Sequence, residues 1–212
     1  MLIIFKALCY KISKRKVKGD RMSLNDVEGF LTGKLLVAMP YSQDIRSANS
    51  VIYVCGHDDT GAMGLLINRR IDTISFEDLL DQLEIVSPIG DIVEFPVHYG
   101  GPAEIGRGFV LHSNDYFHDS TVQIDDDFSL TATMDVLAAI SAGEGPSNAL
   151  IALGYTGWHD GQLEQEIQEN EWIIVEPTAD LIFHDHIDTK WRQALASIGV
   201  DPNILSIQSG RA

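Results

Sequence analysis

The side chains able to do chemistry in this sequence are seven histidines, two cysteines and one dense block of glycine and aromatic residues. His184-Asp185-His186 has metal-binding spacing if it lies on a strand, where residues i and i+2 share a face and Asp188 continues it. No further ligand is in view and His-Glu-x-x-His is absent, so no metal is expected. No Gly-x-Ser-x-Gly elbow occurs. Cys55, beside Val54 in an apolar run, reads as a small core hydrophobe rather than a nucleophile.

Two glycine-rich stretches invite comparison with cofactor loops. Residues 56–61 carry the Gly-x4-Gly spacing of a phosphate loop, but Ala62-Met63 stand where Lys-Ser/Thr would bind phosphate and magnesium. Asp58 and Asp59 would repel phosphate besides, so a tight turn between two strands is expected. The run Gly106-Arg107-Gly108 lacks the third glycine of a dinucleotide fingerprint and leads into a strand. No cofactor is expected.

The densest block is 153–164, where a strand ends and a helix begins, so first-turn amides could face an anion while Tyr155 and Trp158 wall the site. The competing reading lets the glycines turn the chain while the aromatics pack as core. The candidate ligand cleft is Asn68, His98, Gly100, Gly101, His112, Gly154, Tyr155, Gly157 and Trp158. Glu164, Glu166, Glu169 and Glu171 read as a solvated helical flank.

The elements that must position these residues follow from apolar periodicity. Strands are expected at 33–39, 51–56, 64–68, 93–99, 108–112, 121–124, 149–155 and 172–175, several of them continuously apolar as in sheets covered on both faces. Ser75 opens a capping box before Phe76, Leu79, Leu80 and Leu83, which share one helical face. Further helices are expected over 134–142, ending at Gly143, after Asp160 as cap, and over 189–198, ending at Gly199. Strands in groups with occasional helices favour an α+β fold with a mixed sheet over a doubly wound one.

Charge divides the chain. Residues 1–21 hold seven bases and one acid, whereas residues 22–212 hold 8 bases and 30 acids, a formal −22. The first reads as a basic extension, mobile or artefactual, with Met22 the natural start; the second as one domain. An acidic body of that size repels phosphate backbones, so direct nucleic-acid binding by it is not expected. No run of apolar residues is long enough for a transmembrane helix, and two unpaired cysteines fit a reducing, cytoplasmic setting.

Taken together, blocks 31–40 with Asp44, 50–55 with His57, 61–68, 100–102, 107–112 and 154–158 resemble the YqgE/AlgH family of bacterial proteins. Gly161-Gln162-Leu163-Glu164, Glu166, Trp172, Lys190-Trp191, Gly199 and Gly210 extend the resemblance across about residues 30–212. Residues 1–21 have no counterpart, Glu is common where Gly56 stands, and His184-x-His186 is not a family hallmark. The resemblance implies a bifurcated, barrel-like mixed sheet surrounded by helices, and no established catalysis. Its members are often labelled transcriptional regulators, after a genetic association with alginate production.

The function expected is non-enzymatic: a cytoplasmic protein that binds a protein partner or small ligand and acts in regulation. The alternative is a small-molecule enzyme using a cleft near His98, His112 and residues 154–158. Convergence of both histidines on one pocket would favour the enzyme; their burial in packing would count against it.

Overall fold

The apolar runs at 35–38, 51–55 and 61–67 have no polar face to turn to water, and each becomes a strand covered on both sides. They form β1 (Leu35–Ala38), β2 (Val51–Asp58) and β3 (Gly61–Leu66) of a computed structural model that describes residues 30–40, 48–88, 95–184 and 186–201. The basic segment 1–21 lies outside the described residues, as do the start of the expected strand 93–99 and Asp185.

Six more strands follow: β4 (Val97–Tyr99), β5 (Ala103–Ser113), β6 (Val122–Gln123), β7 (Phe128–Thr131), β8 (Ala149–His159) and β9 (Trp172–Val175). Among the described residues the helices are α1 (Phe76–Gln82), α2 (Met134–Ser141), α3 (Gln162–Gln168), α4 (Ala179–Phe183) and α5 (Ile187–Ser197). The strands form one sheet in the order β6-β7-β5-β8-β3-β2-β1-β9, with β4 paired to β8 off that path. All pairs are antiparallel except β4 with β8. The fold is α+β, a curled half-barrel sheet with helices around it.

The sheet forks at β8. Residues 151–153 of this strand pair with β4 on one side, whereas residues 156–159 pair with β3 on that same side. Between them stands Gly154, at φ +75. Alternation sorts the core accordingly. Leu35, Val37, Tyr53, Leu65, Phe109, Leu111 and Ala152 line one face with Trp191, Ala194 and Leu195 of α5. The opposite face is split in two. Ile52, Val54 and Leu66 pack with Trp158, Leu163 and Trp172, while Val97, Val110 and Ile151 pack with α1 and α2.

Local chemistry accounts for the boundaries. Ser75 and Asp78 make both bonds of the capping box at α1. The turn expected over 56–61 is tighter, Asp59 and Thr60 alone joining β2 to β3, with Asp58 Oδ1 accepting the Thr60 N–H at 2.8 Å. Gly143 and Gly199 both adopt positive φ after their helices. Two expectations differ from the structure. The helix after Asp160 is capped by Gly161, not Asp160. His184 and His186 lie not on a strand but as C-cap of α4 and N-cap of α5, their rings stacked at 4.5 Å. Strand β7 and helix α4, which periodicity does not announce, are a four-residue alternation and a single short turn.

Candidate functional site

The glycine block makes the fork. Gly100, at the exit of β4, donates its N–H to Leu153 O (2.8 Å) and accepts from Leu66 N–H (2.9 Å), tying β8, β4 and the end of β3 together. Side chains would not fit here: a Cβ on Gly100 runs into the Gly154 carbonyl, and one on Gly154 runs into Gly101 O and lies 2.9 Å from Ala103 O. The register of β5 against β8 shifts between Ala103 and Gly108 at the same place. The close approach of Gly100, Gly101 and Gly154 is thus backbone on backbone. Tyr155 points inward against Phe109, with ring centroids 5.9 Å apart, and its hydroxyl donates to Glu104 Oε1 at 3.4 Å. Burial first, and then the Glu104 carboxylate, push the Tyr155 phenol up. Gly157 is exposed, and Trp158 is buried.

The carboxylates of α3 overturn their reading as a solvated flank. Glu166 Oε2 accepts the indole N–H of Trp158 at 2.7 Å and of Trp172 at 2.8 Å, while its Oε1 accepts from Gln162 Nε2 at 2.9 Å. Two buried indole donors would otherwise be unsatisfied, and a charged acceptor makes the stronger bond. Glu164 Oε1 lies 2.9 Å from Nε2 of the buried His57. His57 Nδ1 accepts the Leu31 N–H at 3.1 Å, which places the ring proton on Nε2, facing Glu164. Nothing in single-sequence periodicity foretold this: the helix phase exposes both positions, and only the donors on β2, β8 and β9 draw them in.

The two histidines do not converge. His98, on β4, is 3% exposed and donates from Nδ1 to Ile151 O at 3.2 Å. Burial pulls its pKa down to about 4, with Lys190 and Arg70 acting in the same direction. His112, on β5, is fully buried, donates from Nδ1 to Ser113 O (2.8 Å) and accepts from Thr131 Oγ1 (2.9 Å), which in turn bonds Thr121. Its pKa is also lowered, chiefly by burial. The pair Thr131–His112 has the geometry of a hydroxyl beside a base, but no solvent reaches either group. Cys55 is buried in the central core, and burial pushes its thiol up. Among the described residues no group of three or more His, Cys, Asp or Glu could hold a metal ion.

A cavity of about 310 Å³ opens elsewhere, lined by Ala48, Asn49, Asn68, Arg69, Ile187, Asp188, Trp191 and Arg192. Of the residues marked from sequence, Asn68 lines it. Its Oδ1 accepts the Val51 N–H and its Nδ2 donates to Asn49 O, each at 2.8 Å. That clamp holds Asn49 at φ +57 and fixes the rim. Trp191 forms the inner wall, its ring anchored by an N–H bond to Ala38 O at 2.8 Å. Arg192, Asp188 and Asn49 are exposed, so the charged groups stand at the mouth. The loop after β3 and the first turns of α5 bring these residues together from opposite ends of the chain. No motif spans them.

Comparison with known proteins agrees with this architecture. A UPF0301 protein from Rhodopseudomonas palustris (strain HaA2) is 46% identical over 215 residues, covering 94% of this chain and 98% of that protein. The solution structure of the AlgH protein from Pseudomonas aeruginosa superposes with a TM-score of 0.72 at 35% identity, covering 88% of this chain and 98% of that one. A crystal structure of a protein from Corynebacterium diphtheriae shares the fold at 15% identity, with a TM-score of 0.67 over 91% of this chain and 95% of that one. The family model described as AlgH-like matches residues 35–203, and the chain belongs to that family.

Proposed function

We propose that the chain is a non-enzymatic binding protein of the cytoplasm that acts in regulation by receiving a small ligand, or an element of a protein partner, in the groove between residues 48–49, 68–69 and α5. One contrast carries the reading. Of the groups able to do chemistry, His98, His112 and Cys55 are turned into the interior and hydrogen-bonded there, while Asn49, Asp188 and Arg192 stand exposed around a cavity. The lining is mostly polar, with Ala48, Ile187 and Trp191 as its apolar part, which suits a ligand held chiefly by hydrogen bonds. On this reading Asn68 is a ligand-facing residue and the remaining marked positions, from His98 to Trp158, hold the scaffold that carries it. The acidity of residues 22–212 favours a protein or small-molecule contact over nucleic acid. Among the described residues no helix is long and apolar enough to cross a membrane.

The test is retention. The full chain and an Ala48→Trp variant, whose indole fills the groove, are each equilibrated with a bacterial metabolite extract and re-isolated, and bound compounds are identified by mass spectrometry. At least one compound held by the wild type and lost from the variant is expected, unchanged in mass after long incubation. Identical retention by both forms sinks the groove reading. Conversion of a retained compound, abolished by His112→Gln, would establish the enzyme instead.

A further inference from the structure

The groove is walled along α5 by two parallel rows. Ile187 and Trp191 stand four residues apart, as do Asp188 and Arg192, so each pair falls on one line of the helix surface with Cβ atoms about 6 Å apart. The first row is apolar, and the second carries one negative and one positive charge. Asp188 and Arg192 are exposed, and among the described residues neither side chain makes a hydrogen bond or an ion pair, with the other or with a third group. Arg69 also lines the cavity but already has a partner, so Arg192 is the lining cation left to a ligand. On the opposite rim the Asn68 amide bridges Val51 and Asn49 and holds the backbone in place. An aspartate and an arginine at this spacing attract one another weakly, shifting an equilibrium about twofold, so a ligand that matches both charges displaces little.

We propose, building on the groove reading, that the ligand is a small zwitterion: an α-amino acid with an apolar side chain. Its carboxylate meets Arg192, whose planar guanidinium takes two oxygens at once, and its ammonium meets Asp188. Its side chain lies along Ile187 and the ring of Trp191, which is anchored by an N–H bond to Ala38 O. A simple anion gains the guanidinium but stands beside the Asp188 carboxylate, and a simple cation meets the reverse. Each singly charged molecule therefore forgoes one attraction and adds one repulsion. A neutral body of the same shape gains neither contact. The cavity of about 310 Å³ falls at the small end of ligand sites, which suits a free amino acid. Both charged groups stay in water, so each contact contributes modestly, about fivefold in affinity, and selectivity rests on having the two together.

The test uses two series of probes on the full chain, each an amino acid with its deaminated and decarboxylated counterparts. One series is L-leucine, isocaproate and isoamylammonium; the other is L-phenylalanine, hydrocinnamate and phenethylammonium. Backbone amide shifts at residues 48–49, 68–69 and 187–192 report occupancy. In at least one series the amino acid is expected to bind about fivefold or more tighter than either counterpart. Arg192→Ala should bring the amino acid down to the level of the amine, and Asp188→Asn down to the level of the carboxylate. Both variants should unfold close to the wild-type denaturant midpoint, since both side chains are exposed. Equal binding within both series overturns the inference, as does an amino acid weakened by neither substitution. Weakening by only one of them marks a singly charged ligand and overturns it too. Silence of both amino acids, or shifts confined to another surface, has the same result. The groove reading is decided separately, by the metabolite retained by the wild type and lost from Ala48→Trp.

Discussion

The fork and the groove are two residues apart along the end of β3, yet they treat their polar groups in opposite ways. At the fork, Leu66 N–H bonds Gly100 O, the glycines leave no space, and Glu166 takes two indole donors. At the groove, Asn68 is clamped but Asp188, Asn49 and Arg192 are open to water. The region rich in unusual residues is therefore the one that sets architecture. The region open to solvent is assembled from ordinary residues that look unremarkable in sequence. A motif dense in Gly and Trp records geometric demand before it records function.

Substitutions can break or sharpen that contrast. The largest loss is expected at the junction itself. Gly154→Val adds a side chain that collides with the Gly101 carbonyl and prefers negative φ, and should cost about 4 kcal/mol or prevent folding. Its control is Gly161→Ala, at a similar φ of +71 but with nothing within 4 Å of the added Cβ, where about 1 kcal/mol is expected. Near-equal losses in urea unfolding would mean that crowding at the fork is not what demands glycine.

Acid comes next. The His98 pKa is about 4 in the fold against an ordinary 6.5, so the unfolded chain takes up the proton first as pH falls. Stability is full above pH 6.5 and declines through the interval down to about 4, by about 3 kcal/mol in total. His112, lowered for the same reason, adds in the same direction. Urea midpoints for wild type and His98→Gln, compared at pH 7 and pH 4.5, should converge in acid; parallel profiles would remove His98 from the account.

Glu166→Gln keeps one carbonyl acceptor but brings an amide N–H₂ toward Gln162, and about 1.5 kcal/mol is expected, with altered Trp158 and Trp172 emission. The smallest effect on stability belongs to the groove. Arg192→Ala should stay within about 0.5 kcal/mol of wild type, because the side chain is exposed and its proposed task is met only when a ligand is present. A loss comparable to that of Glu166→Gln would make Arg192 a structural residue.

Much of the scaffold was legible in the sequence. The uninterrupted apolar runs at β1 to β3 announced strands covered twice, and Ser75 with Asp78 announced the start of α1. What escaped did so for physical reasons. Strand β7 is four residues following three aspartates, too short for alternation to stand out. Helix α4 is barely more than one turn. The bonds of Glu164 and Glu166 depend on donors from β2, β8 and β9, so helix phase alone misplaced them in solvent. Asn68 was the one marked residue in the groove, because Arg69 and Arg192 are brought to it by the fold rather than by spacing.

The shared strand β8 also has a consequence for biosynthesis. It begins at residue 149, and it completes the pairing of β3, β4 and β5, all made earlier. A nascent chain that has emerged only to residue 148 holds apolar strands with open edges and no central partner. Such edges favour association with other chains, and long-range pairing is slow to form. Assembly of the sheet is therefore gated by the last third of translation, and a ribosome pausing before residue 160 would expose β3 to aggregation for as long as the pause lasts.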